Sequence, residues 1–206
     1  GFEGSPGVDR MIHWFYEWHL ARKLTTLPEK ICFMIAEQDM EDVPEKICEV
    51  TSWCRDLSIS SVIFHISTSS PTISEKYLDK IRILANIAHL TLLYGDIKEV
   101  LGTGIDVTVA IGLSGREEIT RCIRKMGHAH VDPDTVNEEM IESYLTFPYE
   151  PDLVVETGGD YLTDFLIWQS VYSELFFSDV NWNYFRKVDF LRALRDYQFR
   201  KRRFGR

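Results

Sequence analysis

The stretches ICFMI (residues 31–35) and SSVIFHI (residues 60–66) are short and mostly apolar, and they decide the fold class. Runs of this length predict strands that are covered on both faces, as in a parallel sheet. Between them, Pro44 opens a segment with apolar residues at helical spacing that continues to Cys54. Parallel strands need such a helical crossover, so the sequence predicts an α/β fold.

The same alternation of helices and strands continues toward both ends of the chain. Further helices are predicted over residues 9–24, 74–89, 116–126, 137–145, 165–175 and 187–202, and further strands over 90–94, 106–111, 153–155 and from Phe176 onward. We therefore predict one α/β domain over residues 9–206, with a mostly parallel central sheet flanked by helices. Residues 1–8 are expected to be disordered or vector-derived.

The predicted N-terminal helix carries large apolar residues on two stripes. One stripe includes Ile12, Phe15 and Leu20, and the other consists of Trp14 and Trp18. We interpret it as a helix clamped across the domain by its aromatic side chains. A helix lying in a membrane surface is the alternative.

Composition and charge narrow the class of protein. The chain has 45% hydrophobic and 27% charged residues, which excludes collagen-like, mucin-like and disordered classes. Its 32 acidic and 23 basic residues give a net charge of −9, which disfavours nucleic-acid binding. No apolar run approaches the roughly 18–20 residues that span a bilayer, no signal-peptide pattern is present, and the four cysteines form no CxxC pair. We expect a cytoplasmic protein with reduced thiols, and leave peripheral membrane contact open.

The segment from Pro151 to Gly205 closely resembles the C-terminal third of the cis-prenyltransferases, the undecaprenyl and dehydrodolichyl diphosphate synthases. The similar motifs are WQS (168–170), YSEL (172–175), the spacing from Asp179 to Trp182, and RFG (203–205). AIGLSGREEI (110–119) resembles the family's Gly-Gly-Arg turn. The resemblance covers most of the chain and is strongest after residue 150. It implies the family's fold and the synthesis of a polyprenyl diphosphate, such as a dolichol precursor, from isopentenyl and allylic diphosphates with Mg²⁺.

The chain departs from the family at the first substrate site. In active members, the first strand ends in Met-Asp-Gly-Asn, whose Asp handles magnesium, and an arginine-containing loop cradles the allylic diphosphate. Here the strand runs into Ala36, Glu37, Gln38 and Asp39, so Ala36 stands at the Asp position and the loop is deleted. Glu37 or Asp39 could replace the metal ligand, but acids without a cationic loop would repel a diphosphate. The resemblance therefore implies no catalytic residue in this chain.

The second substrate site and the product tunnel also differ from the family. The family binds isopentenyl diphosphate with two arginines and a serine, whereas here Glu156 replaces the first arginine and the second is deleted. The resemblance leaves Thr163 as a weak substrate-binding remnant and Asp160 as the metal-binding acid. Between Leu93 and Val107 the chain is too short for the family's tunnel helix.

The C-terminal Arg203, Phe204 and Gly205 match the family's Arg-x-Gly motif. In dimeric members this motif crosses the interface and holds isopentenyl diphosphate in the partner's site. The resemblance implies an interface on a helix and a strand edge formed by Trp168, Tyr172, Glu174, Leu175, Phe176 and Phe177.

These features together predict a non-catalytic subunit, similar to the Nogo-B receptor type, of a heteromeric cis-prenyltransferase. Its catalytic partner would hold most of the Mg²⁺. Two alternatives stay open. One is a homomeric synthase with a rearranged site around Glu37, Asp39 and Asp160. The other is an inactive protein of this fold that binds lipid or a partner.

Overall fold

The computed structural model describes residues 6–68, 73–112, 115–146, 150–158 and 168–204. Its strands are β1 (Lys30–Ala36), β2 (Ser61–Ser67), β3 (Ala88–Tyr94), β4 (Ile97–Leu101), β5 (Ile105–Ile111), β6 (Leu153–Thr157) and β7 (Glu174–Ser178). Its α-helices are α1 (Pro6–Lys23), α2 (Glu37–Asp42), α3 (Lys46–Asp56), α4 (Glu75–Arg82), α5 (Gly115–His128), α6 (Glu138–Tyr144) and α7 (Lys187–Phe204).

The seven strands form one sheet in the order β4-β3-β5-β2-β1-β6-β7. Every neighbouring pair is parallel except β3 and β4, which form an antiparallel hairpin. The predicted α/β class with a mostly parallel sheet is therefore confirmed. The central strands β1 and β2 are buried on both faces, which explains why their sequences are almost continuously apolar.

An aromatic cluster holds the helical layer against the sheet. Phe33 of β1 lies with its ring centroid 5.6 Å from Phe64 of β2, 6.0 Å from Trp182 and 6.1 Å from Phe190 of α7. The rings of Trp182 and Phe185 stack at 6.1 Å. All five side chains are fully buried, so this cluster forms the centre of the main core.

Two predicted helices differ in the structure. The helix over residues 74–89 starts as expected, because Ser74 caps α4 by accepting from the Tyr77 amide. However, α4 ends at Arg82, a 3₁₀ turn spans Ile83–Asn86, and Ala88 already belongs to β3. Its residues Ile81, Leu84 and Ala88 are all buried.

The predicted helix over residues 165–175 is wrong where the structure describes it. Residues 168–172 form a turn, and Glu174 and Leu175 belong to β7. The alternation explains the strand: Phe176 packs against the main core, whereas Leu175 packs against Cys32 and Val154 of a second apolar cluster. The strand predicted from Phe176 onward is confirmed and starts two residues earlier.

The predicted clamp of the N-terminal helix by its aromatic side chains is wrong, because Trp14 and Trp18 are exposed, and the helix is held only near its C-terminal end. Leu20 is buried against Val188 and Leu191 of α7, but Ile12 and Phe15, predicted for the same face, are exposed. The helix begins at Pro6, so residues 6–8 are helical rather than disordered. Within the described residues, no helix is long and apolar enough to cross a membrane.

The hairpin of β3 and β4 occupies the region where the family has a tunnel helix. Gly95 has a φ of +55° in the two-residue turn between Tyr94 and Ile97, which form the last pair of the ladder. After β4, a Cβ at Gly102 would lie 2.3 Å from the Ala85 carbonyl oxygen, so only glycine fits. The predicted lack of a helix between Leu93 and Val107 is confirmed.

Candidate functional site at the carboxyl edge of the sheet

The carboxyl ends of the parallel strands meet at one edge, where open α/β sheets bind ligands. Ala36 is the last residue of β1 and pairs with Ser67 of β2. Ala36 is also the N-cap of α2, and it makes no side-chain capping hydrogen bond. Since α2 begins at Glu37, no residue separates strand from helix at this position.

Helix α2 brings four carboxylates to this edge, those of Glu37, Asp39, Glu41 and Asp42. Their side-chain partners are neutral: Thr68 donates to Glu37, and Gln38 Nε2 donates to Asp42 Oδ1 at 2.9 Å. Burial, together with the Asp42 charge, raises the pKa of Asp39 above its ordinary value. Within the part of the chain that the structure describes, no lysine or arginine forms an ion pair with these four carboxylates.

Glu156 adds a fifth carboxyl group near this edge. In the sheet register it lies between Met34 of β1 and Phe177 of β7, so apolar residues flank it on both neighbouring strands. Its buried Oε2 has no hydrogen-bond partner among the described residues. Desolvation by burial raises the pKa of Glu156. This carboxyl occupies the position where the family resemblance places an arginine.

The two regions that the resemblance assigns to substrate binding lie next to each other in the fold. A Cβ at Gly158, just after β6, would lie 3.9 Å from Asp39 Oδ2 and 3.7 Å from Asn181 Oδ1. The sequence-predicted Asp160 and Thr163 follow this glycine, but they lie outside the described residues. Within the described ranges, no group of three His, Cys, Asp or Glu side chains is arranged to hold a metal ion.

A cavity of about 630 Å³ lies at the carboxyl ends of β2 and β5, and its wall includes the acidic Glu117. Arg116, Arg121 and Arg124 of α5 contribute to its wall, and Thr68 links it to Glu37. Arg121 Nη1 lies 3.4 Å from Asp96 Oδ1 in the β3–β4 turn. The sequence analysis missed this arginine set. The signal for this set was the presence of three arginines in the helix that begins at Gly115.

The comparisons with known proteins agree with this architecture. The family model described as "Putative undecaprenyl diphosphate synthase" matches residues 96–205, which is more than half of the chain. The chain belongs to the cis-prenyltransferase family. The family predicted from the C-terminal motifs is thus confirmed.

The curated relatives of this cis-prenyltransferase homologue are named as synthases or transferases. The chain is 36% identical to tritrans,polycis-undecaprenyl-diphosphate synthase (geranylgeranyl-diphosphate specific) from Picrophilus torridus, with 78% of each chain covered. It is 32% identical to isoprenyl transferase 1 from Corynebacterium diphtheriae, with 93% of this chain and 92% of the relative covered.

Solved structures confirm the cis-prenyltransferase fold. Lavandulyl diphosphate synthase from Lavandula x intermedia, in complex with dimethylallyl diphosphate, superposes with a TM-score of 0.59 at 20% identity, covering 84% of this chain and 95% of that one. A probable undecaprenyl diphosphate synthase from Campylobacter jejuni gives 0.60 at 21% identity, covering 88% and 100%.

The residues that the resemblance assigns to the Arg-x-Gly motif are 203–205, and the first two of them lie in the last turn of α7. Arg203 is exposed, Phe204 is the last helical residue, and Gly205 lies outside the described residues. Arg202 Nη2 donates to Thr25 Oγ1 at 2.6 Å, which fixes the end of α7 against the segment that follows α1. The structure thus places Arg203 on an accessible helix end.

The residues predicted for a cis-prenyltransferase interface divide into buried and exposed members. Trp168 packs against the α5–α6 cluster, Leu175 is half-buried, and Phe176 faces the main core. Tyr172 and Phe177 are largely exposed. Glu174 pairs with Arg200 at 3.5 Å. Strand β7 is an edge strand of the described sheet. The accessible part of this surface is therefore a turn and a strand edge, not a helix.

Proposed function

We propose that this chain is a non-catalytic subunit of a heteromeric cis-prenyltransferase, of the Nogo-B receptor type. The complex would make a polyprenyl diphosphate, a glycosyl carrier lipid precursor, from isopentenyl diphosphate and an allylic diphosphate. The observation that carries the proposal is the junction of β1 with α2, where Ala36 is followed at once by a helix with four carboxylates. Because Ala36 offers no carboxylate, we assign Mg²⁺ mainly to the partner.

Electrostatics at this junction oppose diphosphate chemistry. A departing diphosphate needs a divalent cation and stacked donors to stabilise its developing charge. Here the nearby side chains among the described residues are Glu37, Asp39 and Glu156. Burial raises the pKa values of Asp39 and Glu156, and the charge of Asp42 adds to the increase at Asp39. A dianion placed beside them would be repelled.

The end of α7 supports the proposal that this chain donates a phosphate-binding group to its catalytic partner. The donated group would be Arg203 with the backbone amide of Gly205. A guanidinium presents a planar fork of donors that binds phosphate oxygens in a bidentate way, so one arginine can carry much of the recognition. The accessible position of Arg203 is compatible with reaching a second subunit.

The partner surface is proposed to include the β7 edge. Tyr172 and Phe177 are exposed aromatic side chains beside an unpaired strand edge of the described sheet. Aromatic residues are enriched in interface cores, and a strand edge gains hydrogen bonds when it is covered. We expect the dimer with the catalytic subunit to bury this surface.

The test is a prenyl-transfer assay with labelled isopentenyl diphosphate on the chain alone, on an intact family member from the same organism alone, and on their mixture. We expect the mixture to exceed both separate proteins greatly. Equal activity of this chain alone and of the mixture would overturn the proposal. If this chain changes nothing in the mixture, the inactive binding protein becomes the better description.

The arginine-lined cavity favours a second candidate, an active homomer with a rearranged site. Arg116 and Arg124 could bind a diphosphate, and Glu37, linked to the cavity through Thr68, could bind a cation. This candidate predicts turnover by the chain alone that is lost in Arg116→Ala/Arg124→Ala. Under our proposal the chain alone is inactive, and Glu156→Arg does not activate it, because Ala36 still provides no metal ligand.

A further inference from the structure

The first half of α1 presents an apolar face that nothing in the described chain covers. Trp14, Phe15 and Trp18 lie three, four and seven residues after Met11, so the four side chains share one face of the helix. Their exposed fractions are 54%, 58%, 55% and 45%. At about 100° per residue, this stripe lies roughly opposite Leu20, which packs on α7. We call these four residues the aromatic stripe.

The charges on α1 are sorted between its two faces. Both acidic residues, Asp9 and Glu17, fall on the Leu20 side of the helix, away from the aromatic stripe. Arg22 continues the stripe, with its guanidinium carbon 4.6 Å from the centre of the Trp18 ring. The outward face of α1 therefore combines apolar side chains with a cation and contains no carboxylate.

The basic end of α7 lies beside the basic end of α1. Gln198 Nε2 donates to the Lys23 carbonyl at 3.0 Å, and Arg202 bonds to Thr25. Together α1 and α7 hold ten of the chain's 23 basic residues but only four of its 32 acidic residues. The rest of the protein is strongly acidic, so this helix pair is its basic side.

We infer that α1 docks the protein on an anionic lipid surface, with the aromatic stripe inserted at the level of the head groups. Tryptophan and phenylalanine prefer this interfacial depth, and a neighbouring basic patch adds attraction to anionic lipids. Insertion of the aromatic stripe alone, or attraction of the basic patch alone, gives weak binding, and the two together give reversible anchoring. Charge complementarity selects the lipid surface over a neutral partner. The inference does not depend on the proposed function.

Vesicle co-sedimentation tests this inference directly. We expect the protein to bind vesicles of equimolar phosphatidylcholine and phosphatidylglycerol, and to bind pure phosphatidylcholine several-fold less. Trp14→Ser/Trp18→Ser should lower the partition coefficient about tenfold or more, because the apolar area available for burial is lost. The matched control is Tyr184→Ser, an exposed aromatic outside α1, which should bind as the unmodified protein does.

A second pair of variants separates insertion from mere charge attraction. Trp14→Phe/Trp18→Phe keeps the apolar stripe and should still bind, but quenching of tryptophan fluorescence by brominated lipids should largely disappear. The three remaining tryptophans, Trp53, Trp168 and Trp182, lie outside α1 and are half-buried or buried. Arg22→Glu/Lys23→Glu should reduce binding to the anionic vesicles and leave the weak binding to neutral vesicles unchanged.

Three results would overturn the inference. The first is an unmodified protein that stays in the supernatant with both kinds of vesicle. The second is a serine double variant that binds as well as the unmodified protein. The third is a serine double variant that still binds vesicles but fails to assemble with the catalytic subunit, which would make the aromatic stripe a protein interface.

Discussion

The junction of β1 with α2 and the last turn of α7 contrast in charge. At the first, Glu37, Asp39 and Asp42 have hydroxyl or amide neighbours or other carboxylates. At the second, Lys201, Arg202 and Arg203 follow one another on an accessible helix end. A ligand with two phosphates would be repelled at the first region and attracted at the second. The difference teaches that one fold can carry acidic side chains at the carboxyl edge of its sheet and basic side chains at a helix end, so that only the helix end suits an anionic ligand.

One aromatic contact joins the strand that leads to the first region to the helix that ends in the second, and removing it should have the largest effect. Phe33 lies in the strand that leads to Ala36, and its ring centroid is 6.1 Å from Phe190 of α7. Phe33→Ala should lower the free energy of unfolding by about 3–5 kcal/mol, because it leaves a cavity at a fully buried site. Denaturant titration measures this, with the exposed Ile83→Ala as the control. A loss below about 1 kcal/mol would mean that the two regions do not share this anchor.

Arg203→Ala tests the basic region directly. In the reconstituted pair, the complex should still assemble, but turnover should fall by about 30- to 1,000-fold. Loss of a charge-assisted guanidinium–diphosphate contact costs on the order of 2–4 kcal/mol, at about 1.4 kcal/mol per decade. Steady-state kinetics with varied isopentenyl diphosphate measure the effect.

The matched control is the neighbouring Arg202→Ala, which removes the same charge one residue earlier. Arg202 bonds to Thr25 within this chain, so its loss should affect turnover far less. Gly205→Ala should resemble Arg203→Ala if the backbone amide must approach the phosphate closely. Equal effects of the Arg202 and Arg203 variants would reduce the basic region to a solvated helix end.

The sequence predicted elements well where burial controls the pattern. The runs that became β1 and β2 are covered on both faces, so their apolar character alone identified them. Two short elements were missed because little of each is buried. In α2 only Met40 is buried, and β4 is an exposed edge strand whose pattern alternates weakly. The helix expected over 165–175 failed because two adjacent residues, Leu175 and Phe176, are both apolar but pack on opposite faces of the sheet.

The candidate site was only partly predictable for a different reason. The interpretation of Ala36 and Glu156 came from the family resemblance, because each stands where a continuous motif of the family has a different residue, and it stays a prediction. The cavity with Arg116 and Arg124 could not be predicted, because its wall combines strand ends, a hairpin turn and one helix that are far apart in sequence. Proximity of this kind depends on the strand order, in which β5 lies two strands from β1.

Glu156→Gln tests the buried carboxyl group that lies near the acidic region. Burial raises the folded-state pKa of this carboxyl above the ordinary value of 4.5. As the pH rises, the Glu156 carboxyl therefore loses its proton at a lower pH in the unfolded chain than in the folded protein. The stability of the unmodified protein should therefore decline as the pH rises from 4.5 through the raised folded-state pKa. At neutral pH the variant should be more stable by about 0.5–1 kcal/mol. Urea titrations at several pH values measure this, with the exposed Glu150→Gln as the control. A variant that is less stable at neutral pH would show that the carboxylate is satisfied.

Glu99→Gln should have the smallest effect, and its pH dependence should have the opposite sign. Arg82 and Tyr94 donate to this carboxylate at 2.7 and 2.5 Å, and these hydrogen bonds lower the pKa of Glu99 to about 2. The stabilisation is complete above the unfolded value of 4.5 and is lost as the pH falls toward 2. The variant should thus be slightly less stable than the unmodified protein at neutral pH and equal to it near pH 2. The effect is small because solvent screens the ion pair and Arg82 keeps Glu75 and Asp79 as partners.

Urea titrations across this pH range measure both effects. The stabilities set by the carboxyl groups of Glu99 in β4 and Glu156 in β6 should respond to acid in opposite directions. The control is Tyr94→Phe, which removes only the hydroxyl group. If both variants change stability with the same sign of pH dependence, a cation must also neutralise Glu156, and the charge contrast between the two regions would not hold.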